Sequence, residues 1–254
     1  MPDKTASLNA QRAVTVLGIA ALLAGWAWVA NGQPEYVLPG PLAVLEGVSR
    51  FIYEPQLAAQ AGISLFRVVL SVAAAMMIAL ILAGMVRRWR ILDEVIERRI
   101  LTFFNAFPSV GWAILGVIWF QISNTTVIFV QVAIILPFCL INALAGFRQI
   151  DPDMDELGHS LTRSVWRRFR LLSLPLVAPF LLSGLRVAYG ICWKIALVAE
   201  LFGASSGLGY QLARAQSVSD ATMVFACCIV IVLIFLITDL LFLKPLVQRF
   251  SVNQ

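Results

Sequence analysis

The sequence predicts an all-α, polytopic membrane protein with six transmembrane helices, and three observations carry that prediction. The 254 residues are 60% hydrophobic and only 13% charged, with a mean hydropathy of +0.88, whereas soluble domains carry about 25% charged residues. So few charges cannot cover a globular surface in water, but they suit a surface that faces lipid. Apolar runs of membrane-spanning length follow one another closely, which leaves a single membrane domain over 1–254 and no room for a separate soluble one. The basic residues sit in short clusters between those runs, as orientation signals do. That distribution, despite a net charge of +5, argues against nucleic acid as a partner and for membrane lipid.

Each span needs about 20 mostly apolar residues, because lipid offers the backbone no hydrogen-bond partners. The expected spans are 13–30, 64–86, 100–120, 125–147, 176–200 and 221–243. Lys4 and Arg12 precede the first, whose apolar run from Ala13 to Ala30, 18 residues long, exceeds a signal-peptide core. No small-x-small cleavage site follows, so the run is expected to stay as an uncleaved span. Between the first two spans, Val37-Leu38-Pro39-Gly40-Pro41 leads into Leu42, Leu45, Val48 and Ile52 at helical spacing. This predicts a short helix in the membrane interface, either a docking surface for an external partner or a packing element. Residues 100–147 hold no charge, and the polar stretch Gln121 to Thr126 divides them into two spans with a tight turn. Asn105, Pro108 and Ser109 interrupt the third span, where proline kinks a helix and frees a carbonyl.

With the N-terminus inside, fourteen basic residues fall on the cytoplasmic side and two, Arg50 and Arg214, outside. This bias predicts that both termini are cytoplasmic. The remaining three, Arg67, Arg186 and Lys194, fall within spans, as do Glu200 and Asp239. A charge at the bilayer centre is costly, so these five should face other helices or water. Arg186, Lys194 and Glu200, with Asn105 and Ser109 at the interruption, are the candidates for lining a pathway. A cationic lining favours an anion. The alternative for Arg67 and Arg186 is pairing with carboxylates or carbonyls that fixes helix packing, and Lys194 is the better candidate for influence on a solute. Gly203, Gly207 and Gly209 permit close backbone packing, an irregular segment or a plain turn.

The cytoplasmic segment 151–175 carries the most information. Met154, Leu157, Leu161, Val165, Phe169 and Leu172 recur every three or four residues and form one apolar helical stripe. Asp151 can cap it with Pro152 at the first helical position, and acidic residues lead while arginines follow, complementing the helix dipole. Such a helix either rests on lipid headgroups or inserts into a groove on another protein.

The segment resembles the cytoplasmic coupling loop of binding-protein-dependent ABC importer permeases. Glu156-Leu157-Gly158 stands where that family has Glu-Ala-Ala, and Leu174-Pro175 matches its closing Leu-Pro. Thr162 stands at the family's glycine, and a β-branched residue resists positive φ. Leu38-Pro39-Gly40-Pro41, Ser64-Leu65-Phe66-Arg67-Val68, Ser183-Gly184-Leu185-Arg186 and Ala199 to Tyr210 are similar, in order, to landmarks of the aliphatic sulfonate, taurine and nitrate branch. The resemblance implies a type I ABC importer permease in a bacterial cytoplasmic (inner) membrane. It further implies a homodimer, two cytoplasmic ATPase subunits, an external solute-binding protein and a small organic or inorganic anion as solute. The coupling residues it implies are Met154, Glu156, Leu157, Gly158, Leu161, Thr162, Val165, Phe169, Leu174 and Pro175.

The sequence holds no phosphate-binding G-x-x-x-x-G-K-[ST] loop, so ATP hydrolysis is expected on a separate subunit. No catalytic constellation, cofactor motif or metal cluster is evident, and the four cysteines lie within apolar runs without metal or disulfide spacing. The other classes are an ATP-independent secondary transporter, which needs inverted repeats and functional intramembrane acids, and an integral-membrane enzyme, which needs a clustered site.

Overall fold

The computed structural model describes residues 4–89, 91–150, 160, 162 and 164–251. Met154, Glu156, Leu157, Gly158 and Leu161 lie outside the described residues, and for Val165 and Phe169 only the backbone is described. Among the described residues every regular element is helical. The first span, Ala13–Asn31, is followed by the short helix Pro41–Tyr53 and the second span, Pro55–Arg88. The fourth, fifth and sixth spans are Asn124–Arg148, Leu174–Gly203 and Ala221–Gln248. Among the described residues five helices are long and apolar enough to cross a membrane, and a broken pair, counted as one span, brings the number to six.

That pair corrects the expectation of a merely kinked third span. Ile91–Ala106 and Ser109–Phe120 meet at 87°. Phe107 is extended, with ψ 128°, and Pro108 likewise, with ψ 135°. A residue before proline is pushed from helical to extended geometry, so here the helix ends and restarts. The first half also begins nine residues before the expected position 100, because Asp93, Glu97 and their neighbours form a charged helical surface rather than a loop. The turn after Phe120 is as expected. Gln121 takes φ 57°, and Ser123 Oγ accepts the Thr126 N–H at 3.2 Å, capping the fourth span.

The helical stripe expected from Met154 to Leu172 does not continue as one helix through the described residues. Thr162 and Ser164 are not helical, and a new helix starts at Val165. Thr162 Oγ1 accepts the Ser164 N–H at 3.2 Å and Ser164 Oγ accepts the Arg167 N–H at 3.4 Å. Both hydroxyls thus bond to the backbone at this point. Helical geometry then continues without a stop into the fifth span, by way of a π-helical turn at Phe169–Ser173. Pro175 supplies no N–H to the preceding turn, and a widened turn absorbs that loss. The same arrangement recurs at Asp239–Leu243, ahead of Pro245.

The chain forms two compact units. The first comprises Met1–Ala58 and Gln211–Val230. In it Trp26 Nε1 donates to the Pro39 carbonyl at 3.0 Å, and its ring stacks on Phe225 at 6.1 Å. Helix Pro41–Tyr53 buries Val44, Gly47 and Phe51 and leaves Leu42, Leu45 and Ile52 exposed. The second unit comprises Ala59–Tyr210 and Ile231–Gln254. Its centre is the fourth span, which packs along the fifth and against Ser109–Phe120. Small residues bring the fourth and fifth spans together: a Cβ on Gly184 would stand 2.6 Å from Asn142 Cβ, and one on Gly146 would stand 2.7 Å from Val177 Cγ1. Around the break, Phe104, Phe107 and Phe129 surround the ring of Trp112 at centroid distances of 4.5 to 5.9 Å.

Candidate functional site

The second unit organises its intramembrane charges into two pairs and a remainder. Arg67, on the second span, donates from Nη1 to Glu200 Oε1 at 2.8 Å, with side-chain exposures of 3% and 1%. The same guanidinium reaches the Ser206 carbonyl and Oγ at 2.7 Å each and Asn124 Oδ1 at 2.5 and 3.0 Å. Glu200, near the end of the fifth span, also accepts from Ser64 Oγ at 2.8 Å and from the Gly209 N–H at 2.9 Å. Leu208 N–H donates to Ser64 Oγ at 2.8 Å and Gly207 N–H to Gln60 Oε1 at 2.6 Å. Ion pairs survive burial when their remaining hydrogen-bonding capacity is met, and here it is.

Backbone geometry makes this arrangement possible. Gly207 has φ 103°, and a Cβ there would lie 2.5 Å from Glu200 Oε2. Gly209 would place a Cβ 2.7 Å from the Leu197 carbonyl oxygen, and Gly203 one 2.6 Å from Thr126 Cγ2. These three glycines therefore serve close packing around Glu200 and Thr126.

The second pair joins the fifth and sixth spans. Arg186 donates from Nε and Nη2 to the two oxygens of Asp239 at 2.8 and 2.7 Å. Asp239 is 10% exposed and Arg186 45%, so the carboxylate is sequestered while the cation shows one side. Next to them Tyr189 and Thr238 share a hydroxyl bond of 2.6 Å. Lys194 lies two turns beyond Arg186, is exposed, and has no ion-pair partner among the described residues. Ser183, Arg186 and Val187 are also exposed and Gly190 is partly so, which aligns all of them with Lys194 on one uncovered stripe. Of the five charges placed inside spans, two pairs cancel and one lysine remains.

The other sequence-predicted residues lie apart from this stripe. Asn105 and Ser109 are exposed on either side of the break. Leu174 and Pro175 are exposed where the fifth span begins, and Thr162 forms the turn described above. Of segment 151–175, Trp166, Arg167, Arg170 and Leu171 present exposed side chains. Sequence reasoning missed Ser64, Asn124 and Ser206 as ligands of the Arg67–Glu200 pair, and Gln60 as acceptor for the neighbouring Gly207 N–H. Ser64 and Asn124 are polar residues on otherwise apolar helices and Ser206 lies in the connection between two helices, so their role shows only in space.

A further cluster closes the loop-side end of the fourth span, where Arg148 bonds to Asp93 and Glu97 at 2.7 Å each. Arg87 Nη1 donates to the Phe147 carbonyl at 3.2 Å beside it.

Residues 46–245 match the protein family described as binding-protein-dependent transport system inner membrane component. The chain is 30% identical over 248 residues to the taurine transport system permease protein TauC of Escherichia coli, covering 92% of this chain and 87% of the relative. It is 28% identical over 208 residues to the putative aliphatic sulfonates transport permease protein SsuC of Bacillus subtilis, covering 80% and 73%. A nitrate import permease protein, NrtB of Synechococcus elongatus, is 26% identical over 205 residues, covering 77% and 73%.

Proposed function

The chain belongs to the binding-protein-dependent transport system inner membrane component family and is a multi-pass permease subunit of an ABC importer, and we propose that it carries a small anion across the cytoplasmic membrane. The observation that supports an anion is the charge balance within the spans, where Lys194 stands without an ion-pair partner among the described residues, on the exposed stripe it shares with Arg186. A cation left bare at membrane depth is costly unless water or an anion meets it. Relatives named for aliphatic sulfonates and nitrate agree with that charge, and the relative named for taurine agrees with it through the sulfonate group of a zwitterion.

In this reading two copies assemble with two cytoplasmic ATPase subunits and an external solute-binding protein, and both termini face the cytoplasm. ATP hydrolysis resides on the ATPases. Their closure moves segment 151–175, and rigid helices convert the movement into alternating access. The exposed Trp166 and Leu171, with Leu161 in the sequence stripe, supply an apolar face for an ATPase groove. Affinity capture of the tagged permease from membranes tests the assembly: an ATPase with a Walker phosphate loop should accompany it in equal amount. Capture of the permease alone, under detergent conditions that preserve its own fold, would overturn the assignment of the segment.

A further inference from the structure

We propose that Arg148 is a positioning residue that transmits movement of the cytoplasmic segment to the broken third span. The inference rests on the reading of 151–175 as the ATPase-coupling segment, and it assigns a residue outside that segment.

Arg148 is the last residue of the fourth span, three positions before the segment begins. Its Nη2 donates to Asp93 Oδ1 and Glu97 Oε2 at 2.7 Å each, and its Nη1 to Glu97 Oε1 at 2.9 Å. Both carboxylates stand on Ile91–Ala106, the first half of the broken span. On the other flank of the segment, Gly146 meets Val177 and Phe180 of the fifth span with no space for a methyl group. The two helix ends that flank the segment are thus packed together and move as one body. Residues Leu101–Ala106 also pack on the fourth span, but apolar contact has no direction and permits sliding or rotation. A planar guanidinium in a bidentate fork fixes both. Ile91–Ala106 then ends at Phe107–Pro108, where the chain turns by 87°. A displacement applied at Glu97 is therefore delivered to Asn105 and Ser109.

Arg148, Asp93 and Glu97 have side-chain exposures of 50%, 43% and 47%. Pairs this open contribute little to stability, so the fold should survive their loss. The test uses the full complex in proteoliposomes, with ATP hydrolysis and solute uptake measured together. Arg148→Gln should retain bound ATPase and ATP hydrolysis within about two-fold, while solute moved per ATP falls roughly five-fold or more. Arg148→Lys should recover part of that ratio, since it keeps the charge but not the fork. Combining Arg148→Glu with Glu97→Arg and Asp93→Asn should restore at least about half of it, as a direct interaction requires. An unchanged ratio in Arg148→Gln overturns the proposal. So does a parallel fall of hydrolysis and uptake, which marks a merely structural role. Failure of the unsubstituted permease to bind any ATPase would instead reject the coupling segment itself.

Discussion

Arg67 and Glu200 are 2.8 Å apart, and neither side chain is more than 3% exposed. The pair therefore depends on each partner to keep the other neutralised. Arg67→Leu leaves the Glu200 carboxylate buried among Ser64 and backbone donors alone, a loss of about 3–5 kcal/mol. Detergent-solubilised permease carrying Arg67→Leu should lose its monodisperse peak in size exclusion at a markedly lower temperature. Arg67→Leu with Glu200→Leu should recover much of the difference. Equal damage from the single and double variants would show that the charges are not coupled.

Gly207 holds φ 103° directly over the Glu200 carboxylate. Gly207→Ala introduces both left-handed strain and a steric overlap, together costing about 1–3 kcal/mol. At Gly190 the nearest atom to an added methyl is 3.7 Å away, so Gly190→Ala should leave stability unchanged. Thermal inactivation of the two variants side by side checks the contrast, and equal loss at both positions would refute it.

Lys194→Gln removes the uncompensated cation. Uptake of an anionic solute should fall roughly ten-fold, about 1.4 kcal/mol in the transport barrier, with assembly intact. Lys194→Arg should retain most of it. Uptake at the unsubstituted rate in Lys194→Gln would remove this residue from the pathway.

Leu161→Asp places a charge in the apolar stripe of the cytoplasmic segment. Docked in a groove, that charge costs several kcal/mol, so ATPase capture should drop steeply while membrane insertion persists. A helix that merely rests on lipid predicts full capture and normal transport. Thr162→Gly should leave coupling intact, because it restores the family's residue at the turn.

Orientation is checked with an impermeant thiol reagent on sealed cells. Cysteines at Gln33 and Ser219, both exposed between spans, should react from outside, and a cysteine at Ser160 should not. Labelling at position 160 from outside would invert the arrangement.

The spans are legible in the sequence because each is a long apolar run that neither water nor an open sheet can accommodate. The break at Phe107–Pro108 is legible only as an interruption. Proline announces a lost hydrogen bond, but the direction in which the chain resumes depends on packing around Trp112. Residues 91–99 read as a loop because their charges mask the helix, and only the position of Arg148 in space explains why those charges are accommodated there. Pairing of Arg186 with a carboxylate can be anticipated from the expense of a buried cation. The identity of Asp239 as the partner cannot, since 53 residues separate them and no periodicity links the two helices. Thr162 is instructive in the opposite direction. The family's glycine points to backbone freedom at this position, and a reading of the family pattern does not reveal that the Thr162 and Ser164 hydroxyls bond to the backbone there.

The Arg67–Glu200 pair also constrains biosynthesis. The two residues are 133 positions apart, so at synthesis rates of about 5–20 residues per second Arg67 leaves the ribosome roughly 7–27 s before its partner. During that interval the third, fourth and most of the fifth span must be made. A lone guanidinium in hydrocarbon costs about 2.5–3.5 kcal/mol on insertion scales, so the second span reaches its lowest-energy placement only when the fifth brings Glu200. Its final placement is a late, cooperative event of membrane insertion rather than an early, autonomous one.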